Sequence, residues 1–219
     1  MKTQRLYLDA PLPFDYVELE SSGKEEKELI LILHGYLQKG ESLVHVLSDA
    51  CPKDSRVLAP NGPFPIPRKT ESGYKVGYSW YFHDPVQNDY FVDMRTSIRF
   101  LCSAIDALGL SDIPKRIIGF SQGGYLAPFV GNAMKNVRQV IGISSGFLMD
   151  ELPTRLNFRW DGIHGDQDEV VDCEGALLAH SKLATMGITG DFHVLHGIGH
   201  ELNEQVVDKL KAVLLACPI

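Results

Sequence analysis

Leu29-Ile30-Leu31-Ile32-Leu33 is apolar at every position. A strand reads this way when both of its faces are covered, whereas a strand with one wet face alternates. Shorter runs of the same kind recur at 57–59, 116–120 and 140–143, with weaker ones at 158–163 and 192–195. Between them the apolar residues fall at helical spacing. In 89–108 they include Ile98, Leu101, Ile105 and Leu108, and 122–135, 172–186 and 203–216 also suit helices. Strands that alternate with helices predict an α/β fold: a mainly parallel, doubly wound sheet with helices on both faces, as one domain over 1–219. Ligands of such sheets bind beyond the carboxyl ends of the strands.

Two stretches interrupt this rhythm. The charged segment 21–28 reads as a hairpin turn leading into the first buried strand. Ala59-Pro60-Asn61-Gly62-Pro63-Phe64-Pro65-Ile66-Pro67 reads as irregular, because its prolines lack N–H donors and fix φ. It follows a strand, so it belongs on the ligand-binding side, together with the aromatic run Trp80-Tyr81-Phe82. Phe64, Trp80, Tyr81 and Phe147 are candidate walls of an apolar substrate pocket. Ordinary loop packing is the alternative for each.

Composition narrows the function classes. The 219 residues are 44% hydrophobic and 22% charged, as in an ordinary globular protein. A net charge of −7 disfavours a nucleic-acid partner. No apolar run approaches the ~18 residues of a membrane span. Met1-Lys2-Thr3-Gln4-Arg5-Leu6-Tyr7 lacks the apolar stretch of a signal peptide, which leads to the expectation of a cytoplasmic protein. Cys51, Cys102, Cys173 and Cys217 are widely spaced, and read as free thiols rather than a zinc site or a disulfide framework.

The candidate chemistry centres on Gly119-Phe120-Ser121-Gln122-Gly123. It fits G-x-S-x-G, in which a serine occupies a sharp strand-to-helix turn. A second match, Gly142-Ile143-Ser144-Ser145-Gly146, also follows a strand run, but Pro153 closes the segment behind it too early for a helix. Ser121 has both the strand and the helix, so it is the candidate nucleophile. Ser144 reads as a strand-end turn.

A serine hydroxyl needs a base, and the base needs an acid to orient it. In this class of fold the acid and then the base follow the serine in the chain. The acid candidates, Asp168 and Asp166, lie in His164-Gly165-Asp166-Gln167-Asp168, and Asp168 is preferred. The base candidates are His193, His196 and His200. His193 falls within a strand pattern, whereas His200 ends a glycine-flanked loop before the last helix and is preferred. The spacing of His196 and His200 would suit zinc on a helix, but Gly197 and Gly199 oppose a helix there, so no metal and no cofactor are expected. Two backbone N–H groups should receive the oxyanion: that of Gln122, and that of Tyr36 in Leu33-His34-Gly35-Tyr36-Leu37. His34 reads either as a brace for that loop or as a strand-end polar residue.

Taken together, Leu33-His34-Gly35, Ala59-Pro60-Asn61-Gly62-Pro63, Ser79-Trp80-Tyr81, Gly119-Phe120-Ser121-Gln122-Gly123-Gly124, His164-Gly165 with Asp168 and Val171, and Gly199-His200-Glu201 resemble the carboxylesterase and acyl-protein thioesterase family of α/β-hydrolases. The resemblance spans residues 29–201. It implies the triad Ser121, Asp168 and His200, with Tyr36 and Gln122 as oxyanion donors. There are two departures. Tyr36-Leu37-Gln38-Lys39-Gly40 stands where that family usually has a glycine and an aspartate, and looks more like the fungal-type small serine hydrolases. Pro128 interrupts the helix after Ser121, where a kink or irregularity is expected.

The expected function is hydrolysis of a small-molecule ester or acyl thioester with a short-to-medium acyl chain. With strand–helix alternation using most of the chain, no large lid domain is expected. A catalytically weak hydrolase-fold binding protein is the rival from another class, since fold alone does not imply reaction. A peptidase or perhydrolase could use the same triad.

Overall fold

The computed structural model describes residues 11–23, 26–148 and 156–217. Its centre is a seven-stranded sheet. The strands are β1 (Tyr16–Leu19), β2 (Glu28–Leu33), β3 (Ser55–Pro60), β8 (Lys115–Phe120), β9 (Val137–Ile143), β10 (Arg159–Gly165) and β11 (Phe192–Leu195). Their spatial order is β1-β3-β2-β8-β9-β10-β11, and every pairing except β1–β3 is parallel. This is the α/β-hydrolase arrangement.

β2 shows why the sheet is buried on both sides. Leu29, Leu31 and Leu33 point to one face and join Leu101 and Ile105 of α2 (Arg95–Ala107) and Leu126 and Val130 of α3 (Gln122–Ala133). Ile30 and Ile32 point to the other face. There they meet Leu43 and Leu47 of α1 (Gly40–Leu47) and Leu210 and Val213 of α5 (Glu204–Ala216). Strand periodicity of two thus splits one apolar run between two cores. α4 (Cys173–Ser181) precedes a short 3₁₀ turn, so the expected helix over 172–186 is divided. Asp172 caps α4 by accepting from the N–H groups of Glu174 and Gly175.

Several expectations are corrected. The segment 21–28 does not close a hairpin, because β3 lies between β1 and β2 in the sheet. Part of it, residues 24–25, lies outside the described residues. The proline-rich stretch is not irregular throughout. β3 extends to Pro60, and β4 (Phe64–Thr70) pairs antiparallel with β5 (Gly73–Ser79), placing Pro65 opposite Tyr78 and Pro67 opposite Val76. In a two-stranded ribbon each strand is an edge, so prolines two apart can turn their missing donors outward together. A second ribbon pairs β6 (Phe82–Asp84) with β7 (Asp89–Val92). The expected helix over 89–108 therefore begins as a strand and becomes helical only at Arg95. α3 runs on through Pro128 to Ala133, so the lost hydrogen bond to Gly124 does not end it. Among the described residues no helix is long and apolar enough to cross a membrane.

Polar groups also cross the sheet, at the end where the parallel strands begin. Glu28 accepts from Ser55 at 2.7 Å and from Arg116 Nε at 2.6 Å. Arg116 donates further to Gln139 and to the Leu214 carbonyl, and Gln139 donates to Asp161 at 2.6 Å. All five side chains in this row are buried.

Candidate active site

Ser121 sits between the end of β8 and the start of α3 at φ 51°, ψ −118°. A non-glycine residue in this region is strained by about 1–3 kcal/mol, held here by its surroundings. The surroundings are tight. A Cβ on Gly119 would be driven into the Gly123 backbone, and one on Gly123 into the carbonyl of Leu33. The two glycines let β2, β8 and α3 converge at the turn. Ser144 also has positive φ, at 48°, and its N–H is held by the Ile163 carbonyl. No helix begins in 145–148, and residues 149–155 lie outside the described residues.

The preferred acid and base reach Ser121 from two neighbouring loops. His200 Nε2 lies 3.0 Å from Ser121 Oγ, and His200 Nδ1 lies 2.8 Å from Asp168 Oδ2. The other carboxylate oxygen of Asp168 accepts from the N–H groups of Val170 and Val171, at 2.9 and 2.8 Å. Burial pushes the Asp168 carboxyl upward. The donors from Val171, His200 and Val170 outweigh that push, and the group lies below the usual carboxylate range. The alternatives have a different place: Asp166 and His196 pair with each other at 2.8 Å, with His196 almost fully exposed. His193 lies in β11.

Sequence reasoning missed a third partner of Asp168. His164 Nε2 lies 3.2 Å from the Asp168 oxygen that faces His200, and 3.0 Å from the Val171 carbonyl. Burial holds His164 below its ordinary pKa, so it approaches the carboxylate as a neutral ring.

The residues of the proposed oxyanion donors, Tyr36 and Gln122, line one groove together with Ser121. Gln122 is the first residue of α3, whose initial N–H groups lack intrahelical acceptors. Neither its N–H nor that of Tyr36 has an acceptor among the described residues. The residues beside Tyr36 are committed. The Gly35 N–H is taken by Gln38 Oε1 at 2.9 Å, and the Leu37 N–H by the Tyr78 carbonyl at 2.9 Å. This is what the unusual 36–40 segment does: it fixes the loop through Gln38 and β5. The Gln122 side chain has its own task, binding the Trp80 N–H at 3.0 Å and the Tyr81 carbonyl at 2.9 Å. It ties the start of α3 to the aromatic excursion.

His34 braces the same loop. Its Nε2 accepts from the Gly62 N–H at 2.9 Å, so its Nδ1 carries the proton donated to the Gly35 carbonyl at 2.7 Å. Burial lowers its pKa to about 4. The unfolded chain binds a proton near pH 6.5, whereas the folded chain resists until about pH 4. The stability this neutral ring supplies is whole above pH 6.5 and lost as pH falls toward 4, amounting to about 3 kcal/mol. Chemical denaturation at pH 7, 5.5 and 4.5 should show this loss, and a His34→Gln variant should show a shallower dependence. An unchanged slope in the variant would contradict the account.

With the geometry in place, comparison with known proteins assigns the chain. A family described as Phospholipase/Carboxylesterase matches residues 14–217. The chain belongs to the phospholipase/carboxylesterase family. An acyl-protein thioesterase 1 homolog 2 of Dictyostelium discoideum is 26% identical over 193 residues, covering 80% of this chain and 86% of that protein. An acyl-protein thioesterase 1 of Gibberella zeae is 28% identical over 113 residues, so the match spans about half of each chain, 47% and 48%. The fold resembles that of esterase PE8, with a TM-score of 0.73, 24% identity and coverage of 94% of this chain and 99% of the other. Membership of this family makes the chain a hydrolase of the esterase class.

Two grooves meet at Ser121 in this carboxylesterase-family chain. One, of about 490 Å³, runs past Leu43, Val46, His200, Glu201 and Leu202. The other, of about 510 Å³, runs past Tyr81, Phe82, Tyr90, Gln122 and Tyr125. Tyr36 and Val170 border both and are well exposed. Of the candidate walls, Tyr81 lines the second groove, but Phe64, Trp80 and Phe147 line neither. Trp80 is fully buried, stacks on His34 and donates its indole N–H to the His34 carbonyl at 2.8 Å. Phe64 packs on Phe82, and Phe147 packs on Trp160, with ring centroids 5.8 and 4.5 Å apart.

Among the described residues, the one carboxylate–histidine group close enough to share a metal ion is Asp161, Asp191 and His193. Arg159 already bridges both carboxylates there. Asp161 and His193 lie on β10 and on the edge strand β11, whereas Ser121 follows the central strand β8.

Proposed function

We propose that this family member is a serine hydrolase that cleaves carboxylic esters or thioesters of short-to-medium acyl chains through an acyl-enzyme on Ser121. The observation that carries the reading is the unbroken relay from Asp168 through His200 to Ser121, at 2.8 and 3.0 Å. His200 Nε2 takes the hydroxyl proton as Ser121 Oγ attacks the acyl carbon. The carbonyl oxygen becomes an oxyanion held by the N–H groups of Tyr36 and Gln122. As the bond to the alcohol or thiol breaks, His200 returns the proton to that leaving group. Water then repeats the sequence on the acyl-enzyme, yielding the free acid and restoring Ser121. Asp168 keeps the proton of neutral His200 on Nδ1, leaving Nε2 free to act as base. The open grooves, each near 500 Å³, suit acyl groups of modest size.

The test is Ser121→Ala. It is expected to lose both p-nitrophenyl ester hydrolysis and covalent labelling by a fluorophosphonate probe. Labelling at the wild-type rate in the variant would overturn the assignment of Ser121.

A further inference from the structure

We propose that the two grooves divide the substrate by chemistry: the groove beside Tyr81 and Tyr90 takes the acyl group, and that acyl group is aromatic, of benzoyl or cinnamoyl size. The inference rests on the serine-hydrolase reading above. The division follows from where the proton must go. The leaving oxygen or sulfur receives its proton from His200 Nε2, so it lies on the His200 side of Ser121. His200, Glu201 and Leu202 line the first groove and are absent from the second. The carbonyl oxygen is committed to the N–H groups of Tyr36 and Gln122. The remaining substituent of the acyl carbon is the acyl group itself, and the second groove, bordered by Gln122 and Tyr125, is where it can go.

That groove is walled by rings. Tyr81, Phe82, His83, Tyr90 and Tyr125 all border it. They also brace one another. Tyr81 meets Tyr90 edge-on with centroids 6.0 Å apart, and His83 lies 4.8 Å from Tyr90. Tyr125 is half-buried on α3, one turn after Ser121, and the hydroxyl end of its ring lies close against Gly146. Rings that fix one another offer flat faces and edges in set orientations. A planar acyl group meets such walls by offset stacking and edge contacts while freezing few bonds. A flexible alkyl chain of equal size gives up several rotors and gains no ring geometry. The first groove has fewer rings, Tyr36, Phe120 and His200, among aliphatic and polar neighbours such as Leu43, Val46 and Glu201. The two halves of the ester are therefore read by different surfaces.

The test uses methyl esters of benzoic, 4-hydroxycinnamic and octanoic acids, each enzymatic kcat/KM being divided by the ester's own hydroxide-catalysed rate. The aromatic esters are expected to lead by about tenfold or more. Tyr90→Leu is expected to lower the aromatic values about three- to tenfold, the scale of one lost ring contact. It should also slow single-turnover decay of the benzoyl-enzyme, whichever alcohol delivered the acyl group, because the alcohol has by then departed. Phe82→Leu gives the same readout should Tyr90→Leu not fold. Preference for octanoate after normalisation, or an effect of Tyr90→Leu that follows the alcohol rather than the acid, overturns the proposal and leaves the hydrolase reading intact. Failure to turn over any ester, with no phosphonate labelling of Ser121, sinks the hydrolase reading and this proposal with it.

Discussion

Asp168→Asn is expected to lower kcat/KM by about 10⁴ while leaving the fold intact, the scale seen when a triad acid is replaced by its amide. Asp168 has two differently occupied oxygens. One accepts two backbone N–H groups, from Val170 and Val171, and these donors cannot rotate away. An asparagine must therefore turn its carbonyl oxygen toward them. Its NH₂ then faces His200 Nδ1 and His164 Nε2, where the carboxylate oxygen now lies at 2.8 and 3.2 Å. Against a donor, His200 places its lone pair on Nδ1 and its proton on Nε2. That proton points at Ser121 Oγ, so no base remains there to take the serine proton. The steps lost are proton transfers; the groove and the oxyanion donors stay. Fluorophosphonate labelling should slow along with ester hydrolysis, because both need an activated Ser121. A decrease under tenfold in both, with normal thermal stability, would mean that Asp168 does not orient the base.

Much of the architecture behind this prediction is legible in the chain. β2 is uniformly apolar because both of its faces are covered, and that condition leaves its mark residue by residue. The strand before Ser121 and the loop positions of Asp168 and His200 are readable for a related reason. In a doubly wound sheet, chain order and strand ends determine where loops gather. What could not be read depends on contacts distant in sequence. The antiparallel pairing of β1 with β3 passes over β2, and no local pattern encodes it. The ribbons β4–β5 and β6–β7 form because each strand satisfies its neighbour, which proline-rich composition conceals.

Trp80 and Tyr81 give the sharpest case. They are adjacent and both aromatic, yet one is sealed beneath His34 and the other walls a groove. Composition cannot tell neighbours apart when their side chains point different ways. His164 went unrecognised as a partner of Asp168 for a similar reason. The His-Gly pair marks the end of β10, but only the turn at 165–168 brings the ring back onto the carboxylate.

Replacing Arg116 with methionine is expected to cost about 3–5 kcal/mol of stability, among the largest losses available without touching the core's apolar residues. Arg116 and Glu28 meet at 2.6 Å with side-chain exposures of 2% and 4%. Water cannot replace the lost partner, so Glu28 would keep a buried charge with Ser55 as its remaining side-chain donor among the described residues. Gln139 and the Leu214 carbonyl would each lose a donor as well. The double variant Glu28→Leu, Arg116→Met removes both charges and should recover much of the loss. Urea denaturation of the wild type, the two single variants and the double variant would measure that coupling. Equal losses in the Arg116 single variant and the double variant would show that the cost lies in packing and not in the stranded charge. The same proteins test a division of labour across the sheet. The Glu28–Arg116–Gln139–Asp161 row lies where the parallel strands begin, and Ser121 lies where they end. Five residues along β8 separate Arg116 from Ser121, roughly 17 Å. The folded fraction of each variant should therefore react with a fluorophosphonate at the wild-type rate, with stability lost at one edge of the sheet and reactivity kept at the other.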